Sequence, residues 1–140
     1  MRLVLDTNVV LDLVVFRDPG VVPLRQAIES GRIALLTSTE CLAEFRRVLA
    51  YPEFKRDAAA QASAYAWYAS RAEAITPDPP PPFLPRCRDA DDQKFLELAW
   101  ATGVVHLVTK DRALLELARR VATLGRFTLI TPVDLTLPSE

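Results

Sequence analysis

Short β-rich runs alternate with longer stretches of helical periodicity along this chain, and that alternation constrains the fold more than any other feature. The runs fall at residues 3–5, 33–36, 74–76, 104–108 and 127–130. Such a pattern predicts an α/β domain with a parallel sheet and helices on both faces. The 140 residues suit a single domain, 1–140, able to bury a sizeable core. No internal repeat is visible.

The intervening helices carry their own signals. Thr7 or Asn8 is expected to cap a helix over residues 9–16, and Pro23 suits the first turn of a second that ends before Gly31. Thr37 and Glu40 have capping-box spacing, and Leu42, Phe45, Val48 and Leu49 then form a buried stripe. Pro52 is expected to open an Ala-rich helix reaching to about residue 72. Residues 77–85 hold six prolines in nine and predict a stiff, extended connector. Asp89 should cap a helix over about 92–102, stopped by Gly103. A last helix should run from Asp111 to Gly125, and the tail from Pro132 should be a loop lying on the domain.

Asp6 follows the first apolar run directly, so it should stand at the carboxyl end of a buried strand, where open α/β sheets place their ligand crevice. An ionised Asp is hard to explain by packing there. Glu44, Asp92 and Asp111 recur where helices begin or a strand gives way to one. Each alone has a structural explanation, because Asp111 is a good N-cap and Asp92 suits a first helical turn. If the first and fourth strands are parallel neighbours, however, Asp6 and Asp111 lie side by side, with Glu44 and Asp92 carried to the same edge. Converging carboxylates raise one another's pKa, and hard divalent cations relieve them. No Ser, Cys or His nucleophile accompanies the acids, so the residues point to metal-dependent phosphodiester hydrolysis by an activated water.

The stretches RLVLDTNVVLD, TSTECLAEFRRVL, CRDADDQKFLELAWATG and HLVTKDRALL, in that order, resemble the PIN-domain ribonucleases. Within them the chain looks most similar to the PilT N-terminus-like, VapC-like toxins of prokaryotic toxin–antitoxin systems. The resemblance covers about residues 2–135. It implies a three-layer sandwich with a five-stranded parallel sheet of order 3-2-1-4-5, Mg²⁺ or Mn²⁺ as cofactor, and endonucleolytic cleavage of RNA. It assigns catalysis and metal binding to Asp6, Glu44, Asp92 and Asp111, supported by Thr7, Asn8 and Thr109. Asp89 becomes a cap or a supporting acid behind Asp92. A protein antitoxin and a homodimer are also implied. Lys110 departs from the family, many of whose members have Gly there; it either contacts a phosphate or is solvated.

The net charge of −1 argues against a protein that coats nucleic acid indiscriminately, though not against a local basic patch. Arg47, Lys110 and Arg112 are the candidate RNA contacts, with Arg46, Lys55 and Arg56 on the same possible rim. Cys41 and Cys87 are expected as reduced thiols, and nothing resembles a leader or a membrane span, so a cytoplasmic location is expected. His106 falls inside a strand and is expected to be structural. Tyr65, Trp67, Tyr68 and Trp100 cannot share one buried stripe, which suggests a protein interface. Two other functions compete: a catalytically silent PIN-like module that binds RNA or protein, and a phosphohydrolase of the haloacid dehalogenase type. The second needs an Asp two positions after Asp6, where this chain has Asn8.

Overall fold

The computed structural model describes residues 1–139. Five parallel strands form one sheet: β1 (Arg2–Leu5), β2 (Ala34–Ser38), β3 (Ala72–Ile75), β4 (His106–Val108) and β5 (Thr128–Ile130). Their order is β3-β2-β1-β4-β5, as expected. Seven α-helices connect them: α1 (Thr7–Leu11), α2 (Val22–Glu29), α3 (Thr39–Leu49), α4 (Ala58–Ala69), α5 (Gln93–Thr102), α6 (Arg112–Leu115) and α7 (Ala118–Leu124).

Strand periodicity divides the core into two layers. Leu3, Leu5 and Leu35 face one way, onto Val10, Leu24, Ile28, Phe45 and Tyr68. Val4, Leu36, Leu107 and Leu129 face the other, onto Phe95, Leu96, Leu114 and Val121. The sheet is thus covered on both faces, which parallel strands require. Leu135 of the tail is buried against the first layer. No helix among the described residues is long and apolar enough to cross a membrane.

Several local expectations shift. Asp6, not Thr7 or Asn8, caps α1, and the rest of the predicted helix becomes a π-helical turn, Asp12–Phe16. Thr37 remains in β2 opposite Ala74, so Ser38 caps α3 and accepts from the Cys41 amide at 3.1 Å. The helix expected from Pro52 is broken. Pro52–Phe54 form a 3₁₀ turn, Lys55 takes a left-handed conformation (φ 50°), and Asp57 caps α4 afresh. The helix expected from Asp111 likewise divides into α6 and α7. The Pro-rich connector is irregular but not detached, because Leu84 is buried against the second layer and Phe83 meets Trp100 edge to face.

The four aromatics do not form one patch. Tyr68 is buried, Tyr65 stacks on Phe45, Arg25 and Arg71 lie over Trp67, and Arg126 lies over Trp100. Both cysteines are free and buried, and His106 pairs with Thr128 across β4 and β5.

Candidate metal centre

Asp6 emerges at the carboxyl end of β1, in the middle of the sheet. One carboxylate oxygen accepts the Val9 amide at 3.0 Å, closing the first turn of α1. The other accepts the Thr109 hydroxyl. The residue is 3 % exposed. Burial pushes its pKa up to about 6 against the pull of Thr109 and Val9, and the charge of Asp111 raises it further.

Thr109 follows β4, the neighbour of β1, and links two acids. Its hydroxyl donates to Asp6 and accepts the Asp111 amide at 2.9 Å. Asp111 caps α6 by accepting the Ala113 amide at 2.9 Å. It also shares a hydrogen bond with Asp92, which stands at the start of α5. Asp92 sits above the ordinary carboxylate range, at about 8, through burial, that hydrogen bond, and the charges of Asp111, Asp89 and Asp6. The same bond holds Asp111 below its ordinary value.

Asp89 stands closer to this pair than a purely supporting acid would. It caps the turn Ala90–Asp92, accepting the Asp91 amide at 3.0 Å. It also brings a carboxylate oxygen within 4.8 Å of those of Asp92 and Asp111. One Asp92 oxygen, Oδ2, is buried without a hydrogen bond. An oxygen-only set of three converging carboxylates and an orphaned carboxylate oxygen together fit a hard divalent cation.

Glu44 lies across the same cavity of about 320 Å³, which Asp6, Thr7, Asn8, Asp92, Tyr51 and Phe54 also line. It accepts the Thr7 hydroxyl at 2.9 Å and pairs with Lys94 at 3.2 Å. Its carboxylate is therefore held by a cation of the chain itself and stands outside the three-acid group. Asn8 is exposed on the cavity wall.

The expected RNA contacts diverge. Arg47 lines a larger adjacent cavity of about 550 Å³, and Arg112 is exposed at the start of α6. Lys110 is neither merely solvated nor free for a phosphate, because its ammonium pairs with Asp12. The Asp12 oxygen facing it is buried, and the lysine is its counter-charge. Arg46 lies over the Tyr65 ring.

Sequence reasoning gave no role to Asp12 or Lys94. Asp12 interrupts an otherwise apolar run, which was a readable sign of a buried charge needing a partner. Lys94 had no such signal, since its pairing with Glu44 depends on how α3 and α5 pack.

A parallel sheet reversing its winding between β1 and β4, with carboxylates gathered beyond those two strands, defines an α/β protein with an acidic centre at its topological switch point. A family model described as PIN domain matches residues 2–113, and the chain belongs to the PIN domain family. With that membership the dehalogenase-type alternative lapses. In fold the chain is similar to the crystal structure of VapBC2 from Rickettsia felis bound to a DNA fragment from their promoter, with a TM-score of 0.54 and 18 % identity. That similarity covers 94 % of this chain and 98 % of the other. No curated protein matches the sequence.

Proposed function

We propose that the chain is a divalent-metal-dependent endoribonuclease and the toxin of a toxin–antitoxin pair. The observation that carries the nuclease reading is the convergence of the Asp89, Asp92 and Asp111 carboxylates beside the buried Asp6. Those acids occupy the switch point of a PIN-family sheet and fit Mg²⁺ or Mn²⁺. The likeness to VapBC2 supports a protein antitoxin as partner, and a homodimer belongs to the same reading.

Asp92, Asp111 and Asp6 would hold the cation, with Asp89 at their side and Glu44 across the cavity. When bound, the cation supplies a Lewis acid for the phosphodiester and lowers the pKa of a water. The chain's own residues set the stage for that chemistry. Thr109 fixes the rotamer of Asp6 and the position of Asp111 through one hydroxyl. Thr7 and Lys94 hold Glu44 at the far wall. Asn8 offers an uncharged amide to a phosphate oxygen at the mouth.

The test is cleavage of a mixed pool of structured and single-stranded RNA with Mn²⁺ or EDTA, by wild type and Asp6→Asn. Fragments that need metal and vanish in the variant are the expected result. Full activity in a folded Asp6→Asn protein would sink the site assignment. A folded wild type that neither cleaves nor holds Mn²⁺ would favour the silent binding module.

A further inference from the structure

Tyr51 and Phe54 line the cavity that Asp6, Glu44 and Asp92 also line, with Tyr51 exposed and Phe54 half-buried behind it. Tyr51 is 44 % exposed and stacks against Phe54 at 6.3 Å between centroids, with the planes 16° apart. Phe16, 55 % exposed, meets Phe54 edge to face at 5.6 Å. Phe45, Tyr68, Phe95 and Phe127, by contrast, are all buried. Phe16 and Phe54 are each followed by a left-handed, non-glycine residue, Arg17 (φ 49°) and Lys55 (φ 50°), and these are the only two such residues described. Each costs on the order of 1 kcal/mol, and strain of this kind collects at functional sites.

Tyr51 and Glu44 also line the neighbouring cavity of about 550 Å³, so they form the ridge between the two. Arg47 and Arg86 line that second cavity, and among the described residues their guanidinium groups have no ion pair or hydrogen bond. Glu40, Asp91 and Glu97 share its walls, so it is not the broad basic face that coats a duplex. A ligand crossing this ridge gains more from a flat apolar ring than from net charge.

Resting on the nuclease reading, we infer that Tyr51, backed by Phe54, is a stacking platform for an unpaired base of the substrate strand. The base flanks the scissile phosphate, and the strand continues past Arg47 and Arg86. The cleaved substrate is therefore single-stranded at the cut. Stacking on an aromatic tolerates any base, and removing the ring weakens binding by about fivefold to a hundredfold per base.

The platform is tested by binding of an RNA strand of about ten nucleotides carrying 2-aminopurine, read by anisotropy and by quenching. Cleavage is suppressed with Asp6→Asn in Mg²⁺ and, independently, with the wild-type site in EDTA. Tyr51→Ala should weaken the strand at least about fivefold and abolish the quench, while Tyr51→Phe keeps both and a duplex binds all three alike. Unchanged strand binding in Tyr51→Ala, with Asp6-dependent cleavage intact, would overturn the platform and leave the nuclease standing. Unchanged strand binding with loss of self-association would overturn it in favour of a protein seat. Absence of both strand binding and Asp6-dependent cleavage would remove the nuclease reading and this inference together. A thermal melt unchanged from wild type excludes misfolding of the variants.

Discussion

The two ends of the sheet are built on one electrostatic rule and differ in what exceeds it. Where strands begin, helices end, and arginines donate to late helical carbonyls: Arg2 to Thr102 at 3.1 Å, Arg126 to Trp100 at 2.6 Å and Arg71 to Trp67 at 3.1 Å. Where strands end, helices begin, and Asp6, Ser38 and Asp111 accept their first amides. Helix dipoles alone demand this polarity, with cations at one end and anions at the other. An acid that caps a helix is therefore no evidence of function. The excess is the evidence: a nearly dry Asp6, a third and fourth carboxyl at Asp89 and Asp92, and an oxygen without a donor. Among the described residues nothing comparable is left over at the arginine end.

The sharpest way to break that contrast is to remove the excess and watch activity. Asp92→Asn and Asp111→Asn should each lower metal-dependent cleavage by on the order of 100-fold or more, the upper end of what shells around a metal show. Arg126→Ala, at the opposite end, should leave cleavage within about twofold. Equal losses at both ends, in folded proteins, would mean that the acidic end is only scaffold.

Stability should move the other way. Asp6 titrates near 3.8 when unfolded and near 6 when folded, so the folded chain binds the extra proton between those values. Its contribution is fully present below pH 3.8 and is lost as pH rises through 6. At pH 8 in EDTA the buried charge then costs on the order of 3 kcal/mol. Asp92, raised to about 8, extends the same fall to higher pH, whereas Asp111, held low, favours folding until acid protonates it. Asp6→Asn keeps the N-cap through its one amide oxygen but turns an NH2 donor to Thr109, losing the bond that hydroxyl donates while removing the buried charge. In EDTA its melting temperature should therefore exceed wild type by a few degrees at pH 8 and fall below it at pH 4. Mg²⁺ should raise the wild type and not the variant. A variant that melts below wild type at pH 8 would show that Asp6 is stabilising and erase the distinction between the two ends.

Much of this was legible in the residues, and the misses share a cause. The sheet order followed from the resemblance, and Asp6 from an apolar run ending in a charge. Strand and helix boundaries drifted where one signal served two elements. Thr37 suits both a strand and a cap, and only its pairing with β3 decides for the strand. Pro52 can open a helix, but a left-handed Lys55 is a tertiary outcome that no propensity announces. The acids were nameable singly, whereas Asp89 in the cluster and Lys94 on Glu44 depend on how α3, α5 and the turn before α5 meet. Tyr51 carries no signal of its own in the sequence, and only the fold sets it on the cavity wall.

Lys110 sharpens the comparison from inside the acidic end, since its cation serves structure there. Its side chain is 46 % exposed and that of Asp12 is 8 % exposed. Truncating the lysine leaves a buried carboxylate without its counter-charge, and solvent screening on the exposed side limits the cost to about 1–2 kcal/mol. Lys110→Ala should therefore melt several degrees lower, and Asp12→Asn in the same chain should recover most of the loss. RNA affinity should keep its salt dependence. A shallower salt slope with an unchanged melt would return Lys110 to the phosphate contacts.

The smallest effect belongs to the arginine end, at Gly103, which ends α5 with φ 62° and donates its amide to Ala99 at 3.2 Å. An added Cβ would meet nothing nearer than the Arg126 guanidinium at 4.0 Å, so crowding contributes nothing. What remains is the left-handed backbone, which costs an L-residue about 1 kcal/mol, less for Asn because its short polar side chain tolerates that region. Gly103→Ala should thus lower the melting temperature by a few degrees, Gly103→Asn by less, and neither should change cleavage. Because Asp92 is the residue that caps the start of α5, loss of activity in Gly103→Ala would mean that strain at one end of the helix reaches the acids at the other. The two ends would then be coupled through α5 instead of acting as separate parts of one sheet.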